Sequence, residues 1–220
     1  MSANLEPRWV MDWLRDSLGW LGTAAFVAVA GYCVARLVAA ARAPVTYPGR
    51  HRAVDTAHVL MAVGMAAMSS PVGGPLPMAA WQTVFLVLTV WFAGSWWQAR
   101  GAARTETDGA WHGGWHGNGL HHALGAAAML YMLTAMPHAG HSGTPWLPGG
   151  LGPDMAGLAL PVVGWVLAAY FLASAVVLVR WRSPAGPAGL PALITAPAAM
   201  TACQTTMAAG TGVMLLAMLA

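Results

Sequence analysis

Charge is what this chain has least of. Only 8% of its 220 residues are charged, against 58% hydrophobic, where a soluble domain carries about 25% charged residues. That shortage excludes a water-soluble globular domain. Lysine is absent, and the ten basic residues are all arginine. A net charge of +3 spread over so few sites reads as orientation information for a membrane protein, and no nucleic-acid surface is expected. Cysteine is nearly absent too: Cys33 and Cys203 both fall in apolar runs, which excludes a disulfide framework and leaves two buried thiols. The first apolar run follows the acids Glu6, Asp12 and Asp16 and exceeds a signal-peptide core in length, so no cleavable leader is expected.

Catalytic patterns are missing as well. Ser69, Ser70, Ser142 and Ser174 have no His/Asp setting for a nucleophile. Gly149-Gly150-Leu-Gly152-Pro lacks the Lys-Ser/Thr of a phosphate-binding loop, and no Cys-x-x-Cys-His haem attachment occurs. The protein is expected not to be an enzyme, and ATP-driven pumping by this chain alone is not expected.

What is present is a series of apolar runs. Crossing the hydrocarbon layer takes roughly 20 residues per helix. Six candidate spans meet or approach that length: Leu18–Ala41, Ala53–Ser70, Pro77–Ala99, Gly119–Met136, Ala156–Val179 and Leu190–Leu219. The second and fourth are short. The sixth is expected to begin its core near Pro197, since proline suits the first helical turn. The fold class is therefore all-α: a polytopic helical bundle of about six transmembrane helices (residues 18–220), preceded by an amphipathic segment over 1–17 lying at the membrane surface. Pairing spans one–two, three–four and five–six would make three helical hairpins of one plan.

Arginine sets the orientation. Arg42, Arg50 and Arg52 follow span one, Arg100 and Arg104 follow span three, and Arg180 and Arg182 follow span five. The positive-inside rule then places these loops in the cytoplasm and both termini outside, across a cell inner membrane. Trp20, Trp81, Trp96, Trp97, Trp146 and Trp181 lie near span ends or in loops, as an interfacial aromatic belt does.

The even-numbered spans share sulfur and imidazole lettering. Met61-x-x-x-Met65, Met132-x-x-x-Met136 and Met214-x-x-x-Met218 are one pattern. A second is a seven-residue column: His58 to Met65, His122 to Met129 to Met136, and Met200 to Met207 to Met214. Seven residues is nearly two helical turns, so each column keeps to one face. Met61 and Cys203 flank the same faces, and Met68 extends the first of them. Thioether, thiolate and imidazole are the ligands that suit Cu(I), and a thioether binds without losing a proton. Successive weak sites could pass an ion along without trapping it. Asp55, three residues before His58, is placed to orient its imidazole, and Asn118 is similarly placed for His122. His138 and His141 in one loop, and His112, His116 and His121 around another, are candidate accessory ligands. For any single methionine, core packing is the competing reading.

The Met-x-x-x-Met segments resemble the signature of the Ctr copper transporters. More broadly, the chain resembles an actinobacterial family of polytopic membrane proteins with a His-x-x-Met opening on an early span, here His58-Val-Leu-Met61. That resemblance implies a fold type and no established activity. The expectation is an integral membrane protein that handles Cu(I) by transport, storage or delivery, with the lipid bilayer around it and a membrane cuproenzyme or copper chaperone as partner. A b-type cytochrome with His58 and His122 (or His121) on one haem is the alternative, and a ligand-free accessory subunit of a membrane complex is a third.

Overall fold

In a computed structural model the structure describes residues 8–42, 49–102, 119–135, 160–180 and 197–219. They form helices α1 (Arg8–Arg42), α2 (Gly49–Ser69), α3 (Met78–Ala102), α4 (Gly119–Ala135), α5 (Pro161–Arg180) and α6 (Pro197–Leu219), and no strand occurs among the described residues. Four stretches are long and apolar enough to cross a membrane: Asp16–Ala39, Met78–Gln98, Pro161–Arg180 and Ala198–Leu219. The two helices expected to be short are so, with Val54–Ser69 the apolar part of α2 and α4 only 17 residues long.

Two boundaries are informative. α6 opens at Pro197, where the fixed φ of proline and its missing N–H fit a first turn. The separate surface helix expected over the first 17 residues is not seen in the described part. Instead α1 runs unbroken from Arg8 for 35 residues, because no proline interrupts Arg8–Arg42 and a helix already nucleated extends at little further cost.

The chain divides into two compact units. The first contains α1 and α2, packed against each other as a sequential pair. Their contact is close where side chains are small. A Cβ on Gly19 would stand 2.9 Å from the Ser69 carbonyl oxygen, and one on Gly22 would stand 3.2 Å from Ser69 Cβ. Thr23 Oγ1 donates to the Gly19 carbonyl at 2.9 Å and reaches the Ala66 carbonyl at 3.4 Å. Small residues and hydroxyls of this kind hold helices together in lipid, where apolar burial supplies no drive. Beyond α2 the chain turns sharply: Gly73 takes φ 81° and donates to the Ser70 carbonyl at 3.1 Å, a conformation glycine adopts without a Cβ clash.

The second unit contains α3 to α6. Again sequential helices pair, α3 with α4 and α5 with α6, and α4 also touches α5 and α6. Gln82 Nε2 donates to the Leu133 carbonyl at 3.3 Å, tying α3 to α4. Tyr131 donates to the Leu160 carbonyl at 3.2 Å, tying α4 to the start of α5. Gly164 and Gly212 let α5 and α6 approach, since a Cβ would meet Leu219 at 3.1 Å and Leu172 at 2.8 Å respectively. Trp81 departs from the expected aromatic belt. It is buried and stacks on Phe85 with ring centroids 6.0 Å apart, because Trp81, Phe85 and Phe92 recur at helical spacing on one side of α3 and form its buried stripe. Trp20 and Trp97 are exposed, as belt residues would be. Trp146 and Trp181 lie outside the described residues.

Candidate functional site

The first unit carries an ion pair inside an apolar hairpin. Arg36 of α1 lies 3.5 Å from Asp55 of α2, and both are buried. The guanidinium also stands 5.9 Å from the centre of the Tyr32 ring, a cation–π distance. Separating two opposite charges in so dry a place would be costly. The expectation for Asp55 was a role beside His58. The structure gives the carboxylate a cation from the neighbouring helix, a partner that sequence reading missed. A signal existed: Arg36 falls inside the first apolar run, near its end, and an ionisable group within such a run is a functional candidate by default.

His58, Met61, Met65 and Met68 are all buried. At about 100° per residue they form a stripe. Asp55, Ala66 and Ser69 meet α1, and the stripe lies roughly a quarter-turn round α2 from them. The methionine face is therefore distinct from the face used for hairpin packing, with His58 at the border between the two.

The second unit holds the remaining described candidates. On α4, His122, Met129 and Met132 are buried, and the His122 ring lies 5.2 Å from Phe92 of α3. His121 Nδ1 is hydrogen-bonded to the Tyr170 hydroxyl of α5 at 2.9 Å, and its ring also meets Phe171 at 5.5 Å. His121 is thereby used as a joint between α4 and α5. Tyr170→Phe should lower stability by about 0.5–1.5 kcal/mol, read as a shift in the unfolding midpoint in detergent; no shift would mean that the bond is exchanged for water.

On α6, Cys203 and Met207 are buried, while Met200 and Met214 are half-buried. Buried Gln204, Thr211 and Met218 share their face, and sequence reading passed over the amide. The Gln204 Nε2 has no hydrogen-bond partner among the described residues. This face also lies roughly a third of a turn from the side bearing Gly212 and Leu219, which meets α5.

Of the eleven described candidates, nine are buried and two half-buried. Met136 lies outside the described residues, as do His112, His116, His138, His141 and Asn118. The α4 and α6 sets belong to one unit and to touching helices; the α2 set belongs to the other unit. Among the described residues no group of three or more His, Cys, Asp and Glu side chains is gathered to hold a metal. A site built from the described residues alone would therefore depend on thioether sulfur, or on pairs rather than triads.

The matched region of sequence begins at α2. A family model described as a domain of unknown function (DUF5134) matches residues 50–218. The chain belongs to that family. No curated protein and no solved structure matches it. The DUF5134 region thus includes the buried faces of α2, α4 and α6, while Arg36 and Cys33 stand on α1, ahead of it.

Proposed function

We propose that the protein is an integral membrane copper-handling protein that binds Cu(I) through the sulfur and imidazole faces of α2, α4 and α6, for transport, storage or delivery to a membrane cuproenzyme or chaperone. One observation carries this reading. On α2 the column is buried, and on α6 Cys203 and Met207 are buried with Met200 and Met214 half-buried, yet both columns are centred away from the contacts by which the close-packed glycines and serines join the hairpins. Methionines needed only as filler would be expected at the hairpin contacts, where glycine, serine, threonine and alanine stand between α1 and α2, and glycine against leucine between α5 and α6. The Met-x-x-x-Met spacing, similar to that of the Ctr transporters, points the same way. Soft neutral ligands suit a monovalent soft ion in a dry bundle, and several weak sites in series suit movement along it.

In this proposal all six helices cross the inner membrane as three hairpins of one plan, with the arginine-bearing loops inside and both termini outside. The sequential pairing of α1 with α2, α3 with α4 and α5 with α6 supports that plan.

The test is metal analysis of the full chain purified in mild detergent and loaded with Cu(I). The wild type should be colourless and retain copper. Replacing Met65, Met129 and Met207 together with leucine nearly conserves volume, so the fold should persist while copper bound per chain falls. Unchanged stoichiometry would return the methionines to packing. A Soret band in the purified protein would favour haem ligation instead.

A further inference from the structure

Cys33 is fully buried on α1. It lies at the middle of the stripe that faces α2, between Gly22 and Phe26 on one side and Arg36 on the other. The hairpin register is fixed at both ends: Gly19 and Gly22 lie against Ser69, and Arg36 meets Asp55. The helices are antiparallel, so one turn back along α1 from Arg36 is level with one turn forward along α2 from Asp55. That step brings Cys33 level with His58, which is itself buried and begins the methionine stripe.

We propose that Cys33 and His58 hold one Cu(I) ion between them, as a two-coordinate site at the start of the α2 column, with Met61 the next sulfur along. The proposal rests on the copper reading above and adds α1 to it. Charge is the physical reason for a thiol here. A thioether-only site acquires a full positive charge on loading, at a depth where an unpaired ion is expensive. Cys33 as thiolate, His58 as neutral imidazole and Cu(I) sum to zero. The thiol proton leaves to solvent as the Cu–S bond forms, and copper stays Cu(I) throughout. The Arg36–Asp55 pair is likewise neutral, so the loaded hairpin would hold no net charge at this level. The anionic ligand makes this the tightest site, with the methionines the weaker sequence beyond it.

The full chain in detergent is titrated with Cu(I) against a chromophoric Cu(I) chelator. Cys33→Ser should weaken the tightest equivalent by more than the roughly 100-fold that loss of an outer-shell partner brings, and His58→Ala should do the same. The Met65, Met129 and Met207 triple leucine variant should keep that equivalent. X-ray absorption of the wild type with one equivalent of Cu(I) should show a mixed sulfur and nitrogen shell, and this readout needs no variant to fold. An unchanged first affinity in Cys33→Ser, or a shell of sulfur alone, overturns the Cys33–His58 site and leaves the copper reading standing. A wild type that takes up no Cu(I) at all overturns both.

Discussion

Arg36→Met should lower the stability of the protein by about 3–5 kcal/mol, the loss seen when one partner of a buried ion pair is removed. The effect comes less from the attraction given up than from what remains. Asp55 is only 1% exposed, so its carboxylate would be stranded without a countercharge. Methionine retains much of the arginine stem, so packing alone explains little of the loss. The double variant Arg36→Met/Asp55→Leu separates the two causes. With neither charge present, stability should return to the parent level or above, because well-packed apolar residues often replace a buried pair without penalty. Unfolding in mixed micelles, followed by circular dichroism, reads both. Equal losses in the single and double variants would mean that shape, and not charge, is what α1 supplies.

Gly19→Ala should cost about 1–3 kcal/mol, the usual range for overpacking, although a single methyl is added. The new Cβ would sit 2.9 Å from a backbone oxygen, that of Ser69, and backbone cannot swing aside as a side-chain tip can. The two helices must move apart, and the short reach of Thr23 to Ala66 would lengthen with them. Gly31 on the same helix is the internal control. A Cβ there meets nothing within 4 Å, and alanine is the better helix former by up to about 1 kcal/mol. Gly31→Ala should therefore be neutral or stabilising. The same unfolding assay compares them, and similar losses at both positions would remove close approach as the explanation.

The all-helical class and the long apolar segments were legible in the sequence because hydropathy and length are one-dimensional properties. So was the start of α6, which a single proline marks. Periodicity likewise identified which residues share a face with His58 or Met207. It could not say what each face meets. Trp81 near a helix start reads as an interfacial residue until α4 is seen to pair with α3 and the tryptophan proves buried. Asp55 reads as an orienter of the nearest histidine along its own helix, and nothing along that helix announces the arginine that another helix brings beside it. In each case the missing information is the partner helix and its register, which small-residue contacts such as Gly19 against Ser69 decide and no local pattern announces.

The Arg36–Asp55 pair also bears on how the hairpin enters the bilayer during synthesis. An aspartate in a membrane helix opposes translocon-mediated integration, most strongly at the helix centre and less toward its ends. The apolar part of α2, Val54–Ser69, is short and carries Asp55 close to its start. Such a segment has a weak case for partitioning into lipid by itself. α1 leaves the ribosome first, and its arginine is already in place when Asp55 emerges. The two helices would then partition as a neutral couple, so a version of the protein begun at residue 50 should leave its first helix poorly integrated, with the ends of the chain in mixed orientations.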